Sequence, residues 1–201
     1  STAHASDFVY NTTHDKLGCW TTTYSRKFYE DNGFFLKKGG LEICRKGDDA
    51  RWEELKRKVG SGKAFGTNVR LISAAEAKEK FPLLDEESLM GAMWDPDAGL
   101  VIPRSQDVVS FAVESAKDKG ALKTFTDTPA IDFEIENGRV TGVKTDKGFI
   151  KADKVVICSG IWGPLMGKKA GVPVPLMPLE HPLLFFGPLP EAQGAEDFLV
   201  Y

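Results

Sequence analysis

Asp153-Lys154-Val155-Val156-Ile157-Cys158-Ser159-Gly160-Ile161-Trp162 is the stretch on which the fold turns. A continuous apolar run that closes in small residues suits a strand buried on both faces, as in a parallel sheet. The expectation is a buried parallel strand here, with a helix behind it over Trp162 to Lys169. Ligands of open α/β sheets lie outside the carboxyl ends of strands, and small residues allow close approach to the main chain. Ser159 and Gly160, at the strand's tip, are therefore candidate binding residues.

Just upstream, Ala130 to Glu136 and Arg139 to Thr145 flank Asn137-Gly138. That dipeptide is a strong hairpin signal, because a type I′ turn needs positive φ at both central positions. Asp146-Lys147-Gly148 makes a second tight turn before Phe149 to Ala152, so a three-stranded meander is expected. Downstream, prolines at 173, 175, 178 and 182 predict an extended, edge-like segment from Val172.

The first half alternates helices and short strands. A helix is expected around Thr22 to Asn32, and a strand over Leu41 to Cys44 after Gly39-Gly40. Asp48 or Asp49 reads as an N-cap, with Trp52, Leu55 and Val59 on one helical face behind it. Ser73-Ala74-Ala75-Glu76 is a capping box, opening a helix to about Lys80 that Phe81-Pro82 ends. Met93 to Gly99 reads as a strand end and a turn. Ser105 or Asp107 is expected to cap a helix with an apolar stripe of Val108, Val109, Ala112 and Ala116, and Gly120 closes it. The fold class is thus α/β in the mixed, α+β sense, a chain contributing to two layers.

The chain has 201 residues and a formal charge of -3, which gives no electrostatic footing for nucleic acid. No apolar run approaches the roughly 20 residues that span a bilayer. Cys19, Cys44 and Cys158 have no zinc-like spacing and read as reduced thiols. The histidines at 4, 14 and 181 lack an i, i+4 partner of ligand type, so no metal is expected. Taken alone, each histidine reads as a surface or hydrogen-bonded residue. Gly60-Ser61-Gly62 lacks a third glycine and a preceding strand, so it is no dinucleotide motif. The basic residues Arg45, Lys46, Arg51, Lys56, Arg57 and Lys58 are interleaved with acids and read as a solvated helix face. Ser1 opens no signal peptide, and the chain closes on an apolar, strand-like run, so a fragment of a longer protein is expected.

Four segments together resemble the FAD-dependent D-amino-acid-oxidase superfamily, on its dimethylglycine oxidase and sarcosine dehydrogenase branch. They are Ser1-Thr2-Ala3-His4-Ala5-Ser6, Gly39-Gly40-Leu41-Glu42, Asn137 to Val143 with the Gly148 to Asp153 return, and Asp153 to Trp162. The last is the most specific singly, and the set matches in order over nearly the whole chain. The resemblance implies FAD as cofactor, with His4 at the position that carries a covalent bond to the flavin. It places Ser1, Thr2 and Ala3 in the loop around the cofactor, Phe8 at a flavin contact, Ala130 beside the adenine, and Ser159 and Gly160 where the cofactor skirts the main chain. His181, in Pro178-Leu179-Glu180-His181, matches a catalytic histidine near the substrate amine. The family's Gly-rich loop and its later strands have no match here.

What the resemblance implies for the whole protein is oxidation of a secondary or tertiary amine, such as an N-methylated glycine, by hydride transfer to flavin. An electron acceptor or O2 takes the electrons onward, in a cytoplasmic or, in a eukaryote, mitochondrial-matrix setting. Residues 1–38 are expected to be an FAD-domain loop and helix, 39–95 a substrate-domain segment, 96–170 an FAD-domain segment with the meander, and 171–201 substrate-domain strands. Alone, the chain is expected to be inactive. The alternatives are a noncovalent glycine- or D-amino-acid-type oxidase, and an inert fragment that self-associates through unpaired strands.

Overall fold

The structure, a computed structural model, describes residue 2 and residues 5–180. It divides into two compact units, one whose described residues end at Asp118 and one that begins at Lys119.

The first unit opens with β1 (Phe8–Val9) and α1 (Lys16–Asp31). The helix begins six residues before the expected Thr22, because Asp15 is its N-cap and accepts a 2.8 Å hydrogen bond from the Gly18 amide. Then follow β2 (Phe35–Lys37), β3 (Gly40–Arg45), α2 (Asp49–Ala64), β4 (Arg70–Ile72) and α3 (Ala74–Lys80). Asp48 caps α2 through the Arg51 amide at 3.0 Å. Ser73 and Glu76 form the reciprocal capping box of α3. The unit ends with β5 (Leu89–Asp95), β6 (Gly99–Val101) and α4 (Ser105–Asp118).

Two antiparallel sheets organise this unit. One has the order β1-β6-β2, the other β3-β5-β4. The second is covered on both faces. Cys44, Leu55, Val59, Val69 and Met93 bury the face beneath α2, and Leu41, Ile72, Ala77, Leu89 and Ala92 bury the face beneath α3. A central strand coated on both sides reads as a nearly continuous apolar run, as Leu89 to Trp94 does. Leu55 is fully buried, so Leu55→Ala costs about 2–5 kcal/mol.

The second unit holds the meander β7 (Ala130–Glu136), β8 (Arg139–Thr145) and β9 (Gly148–Lys151), then α5 (Gly163–Lys169). Asn137 and Gly138 carry φ of 52° and 75°, the positive pair that a type I′ turn demands. Phe133 and Met166 are buried, and α5 packs against β7.

The stretch from Asp153 to Trp162 departs from expectation. Residues 153–159 form no strand and pair with none among the described residues, and Val156 is 82% exposed. All strand pairs among the described residues are antiparallel. An apolar run of this kind needs neighbours on both edges and both faces, and no described segment supplies them. Residues 172–180 are likewise without strand pairing. Among the described residues, no helix is long and apolar enough to cross a membrane.

Candidate functional site

The cofactor loop expected from the sequence enters the first unit through β1. Thr2 is exposed, and its carbonyl accepts a 3.1 Å hydrogen bond from the Ala5 amide. Ser1, Ala3, His4 and His181 lie outside the described residues. Phe8 is half-buried in β1, opposite Leu100 of β6. Its ring rests on Gly40: a Cβ there would stand 2.6 Å from Phe8 Cζ and 3.0 Å from Ala98 Cβ. Gly39, with φ of 79°, lies under the Trp94 indole in the same close manner. The Gly39-Gly40 pair therefore brings two aromatic rings against β3.

Asp7 fixes the other end of this loop. It has φ of 61°, a left-handed conformation that Asp tolerates better than most residues. Its carboxylate accepts from the Ser105 amide at 2.8 Å and hydroxyl at 2.5 Å, and pairs with Arg104 at 2.6 Å. Neither Ser105 nor Asp107 caps α4 from within, as the local sequence suggested. The cap comes from Asp7, and no sequence signal announces a partner so far away.

In the second unit stand Ala130, Ser159 and Gly160. Ala130 opens β7, exposed, opposite Thr145. Ser159 precedes a 3-10 turn over Gly160–Trp162, and Gly160 has φ of 53° with open space where a Cβ would stand. The Ser159 hydroxyl oxygen is buried with no hydrogen-bond partner. A buried hydroxyl left so calls for a partner from a bound group. Together with the left-handed glycine, this fits a phosphate-bearing cofactor passing the main chain. A separate groove of about 880 Å³ lies on the meander, lined by Ile131, Glu134, Lys144, Thr145 and Phe149, among others, and none of the expected cofactor residues.

Sequence reasoning missed a buried polar cluster in the first unit. Glu42 is 2% exposed and binds Lys58 Nζ at 2.5 Å and Arg51 Nη2 at 2.6 Å. Arg51 also meets Glu54 at 3.1 Å, and Glu54 meets His14 at 3.4 Å. Lys58 thus leaves the solvated basic face on which the sequence put it. The signals were an acid inside the apolar strand Leu41-Glu42-Ile43-Cys44 and a lysine three residues after Leu55 on the buried side of α2. Asp97 gathers Lys37 at 2.5 Å and Asn68 at 2.8 Å, with Arg26 at 3.8 Å. Burial pushes its carboxyl up, but the hydrogen bonds from Lys37 and Asn68 and the charges of Lys37 and Arg26 outweigh it and hold the pKa below the ordinary value. Burial pushes the Cys44 thiol up, which suits an unreactive core residue. Cys19 is also buried and Cys158 is exposed. Among the described residues, no group of three or more His, Cys, Asp or Glu could hold a metal ion.

The class of the protein follows from its sequence match. The chain matches FAD dependent oxidoreductase (DAO) over residues 9–200, and it belongs to that family. It is 32% identical over 170 residues to human sarcosine dehydrogenase, mitochondrial, an overlap of 78% of this chain and 17% of that protein. It is 25% identical to mouse dimethylglycine dehydrogenase, mitochondrial, over 80% of this chain and 18% of that protein. The chain therefore spans less than a fifth of the length of either relative. Among solved structures, L-proline dehydrogenase from P. horikoshii superposes with a TM-score of 0.70 at 32% identity, covering 81% of this chain and 43% of that one.

Proposed function

We propose that the whole protein oxidises a secondary or tertiary amine bearing a carboxylate, such as an N-methylated glycine, with FAD as its cofactor. The observation that carries this reading is the family match over residues 9–200, and it is supported by the turn at Ser159-Gly160, where a buried, unpartnered hydroxyl precedes a glycine of positive φ. The two similar dehydrogenases act, by their names, on sarcosine and dimethylglycine, which supports that substrate class.

Residues 1–38 and 96–170 are assigned to the FAD domain and 39–95 to the substrate domain, with 171–201 returning to it. In support, among the described residues β3, β4 and β5 pair only with one another, within residues 40–95, and β1 and β2 pair with β6 across that span. Ser1, Thr2, Ala3, His4 and Phe8 of the first unit are assigned to cofactor binding, and so are Ala130, Ser159 and Gly160 of the second. A covalent bond through His4 is part of the proposal. The two named relatives are mitochondrial by name, and a mitochondrial matrix setting or a cytoplasmic one suits such chemistry.

When bound, FAD supplies the acceptor for a hydride from the amine's methyl carbon. The chain's own residues prepare the amine. His181 accepts its proton, since imidazole titrates near neutral pH and only the neutral amine has a free lone pair. Gly39 and Gly40 let Trp94 and Phe8 approach β3 closely. His181→Ala in the whole protein lowers turnover by about 10²–10⁴-fold. Unchanged kinetics remove His181 from the mechanism. A fluorescent protein band on a denaturing gel marks covalent flavin, and a dark band with free flavin at the front marks the noncovalent alternative.

A further inference from the structure

We propose that Lys58 is a positioning residue for the cofactor loop, acting through the rings of Tyr10 and Phe8. This rests on the reading above, in which Phe8 lies against FAD.

Lys58 sits on the face of α2 that buries Leu55, Val59 and Gly62, and it is only 6% exposed. Its ammonium meets Glu42 Oε2 at 2.5 Å, and Glu42 is more deeply buried still. Taking two charges out of water is costly, and apolar residues of like volume often serve stability as well or better. Breaking such a pair is expensive, so the pair fixes one geometry. That geometry leads toward the cofactor loop. Lys58 Nζ stands 5.2 Å from the Tyr10 ring centroid, a cation-π distance. The Tyr10 and Phe8 rings are 6.1 Å apart and inclined by 30°. Phe8 in turn rests on Gly40, two residues from Glu42 along β3, where alternate residues share a face. Two rungs result: Phe8 on Gly40, and Tyr10 against Lys58, which is itself bound to Glu42. The second rung holds the first.

The test uses the purified whole protein and three readouts: the fraction of chains carrying flavin, the reduction potential of that flavin, and the thermal midpoint. Lys58→Met keeps the stem and removes the charge. It should shift the potential and lower the flavin content while the fold persists, and Lys58→Arg should restore most of both. Tyr10→Leu leaves the ion pair alone and should give the same losses, so Lys58→Met added to Tyr10→Leu has little further effect. That second variant decides the matter if Lys58→Met fails to fold. A flavin-loaded wild type whose Lys58→Met and Tyr10→Leu variants change only the thermal midpoint overturns this inference alone. A wild type that carries no flavin overturns the reading of Phe8 and the inference together.

Discussion

The carboxylate of Asp7 caps the helix that Ser105 begins, across 98 residues of sequence. It takes both the amide and the hydroxyl of Ser105, and Arg104 closes over its second oxygen. The loop expected to surround the cofactor is thereby tied to the start of α4. Asp7→Ala removes the cap and leaves a left-handed residue without the side chain that suits it. It should cost about 2 kcal/mol, read as a lower urea midpoint. Asp7→Asn keeps an accepting oxygen and tolerates positive φ, so it should cost visibly less. Equal losses from the two would contradict the capping role.

Gly40 tests the wall beneath Phe8. An alanine Cβ there would stand 2.6 Å from Phe8 Cζ and 3.0 Å from Ala98 Cβ, so the ring or the strands beside it must give way. Gly40→Ala should destabilise by about 1–3 kcal/mol and should be partly rescued by Phe8→Leu, which frees the ring's volume. Absence of rescue in the double variant would show that the two sites do not touch.

Asp97 gives the first unit a specific response to acid. Its folded pKa lies below the ordinary 3.8, so its stabilising contribution is complete above that value and is lost as pH falls through the lower folded value. Asp97→Asn should therefore be less stable than wild type at pH 7, with the gap narrowing below about pH 4. Thermal midpoints taken from pH 7 down to pH 2 check this; a gap that stays constant with pH would refute it.

The hairpin at Asn137-Gly138 makes a cleaner test of backbone alone. Open space surrounds the position of a Gly138 Cβ, and only its φ of 75° resists a side chain. Gly138→Ala should cost about 1–2 kcal/mol in the unfolding free energy, and Gly138→Val more, because a β-branched residue resists positive φ further.

Local signals were legible where structure is local. The capping box at Ser73 and Glu76, the Asp48 cap and the Asn137-Gly138 turn each follow from a few neighbouring residues, and each stands where its residues put it. The start of α1 was misplaced because Asp15 sits among polar residues that read as loop. Long-range pairings were illegible in principle: nothing near Asp7 points to Ser105, and nothing near Asn68 points to Asp97. Asp153 to Trp162 failed for a different reason. Its apolar run states what the segment needs on either side, and a sequence pattern cannot state whether those neighbours are at hand.

Anaerobic addition of dimethylglycine or sarcosine to the purified whole protein tests the central claim most directly. The account predicts that its flavin's visible absorbance bleaches on mixing with one of these amines. A protein whose visible spectrum has no flavin, or whose flavin bands stay unchanged with both, would contradict it.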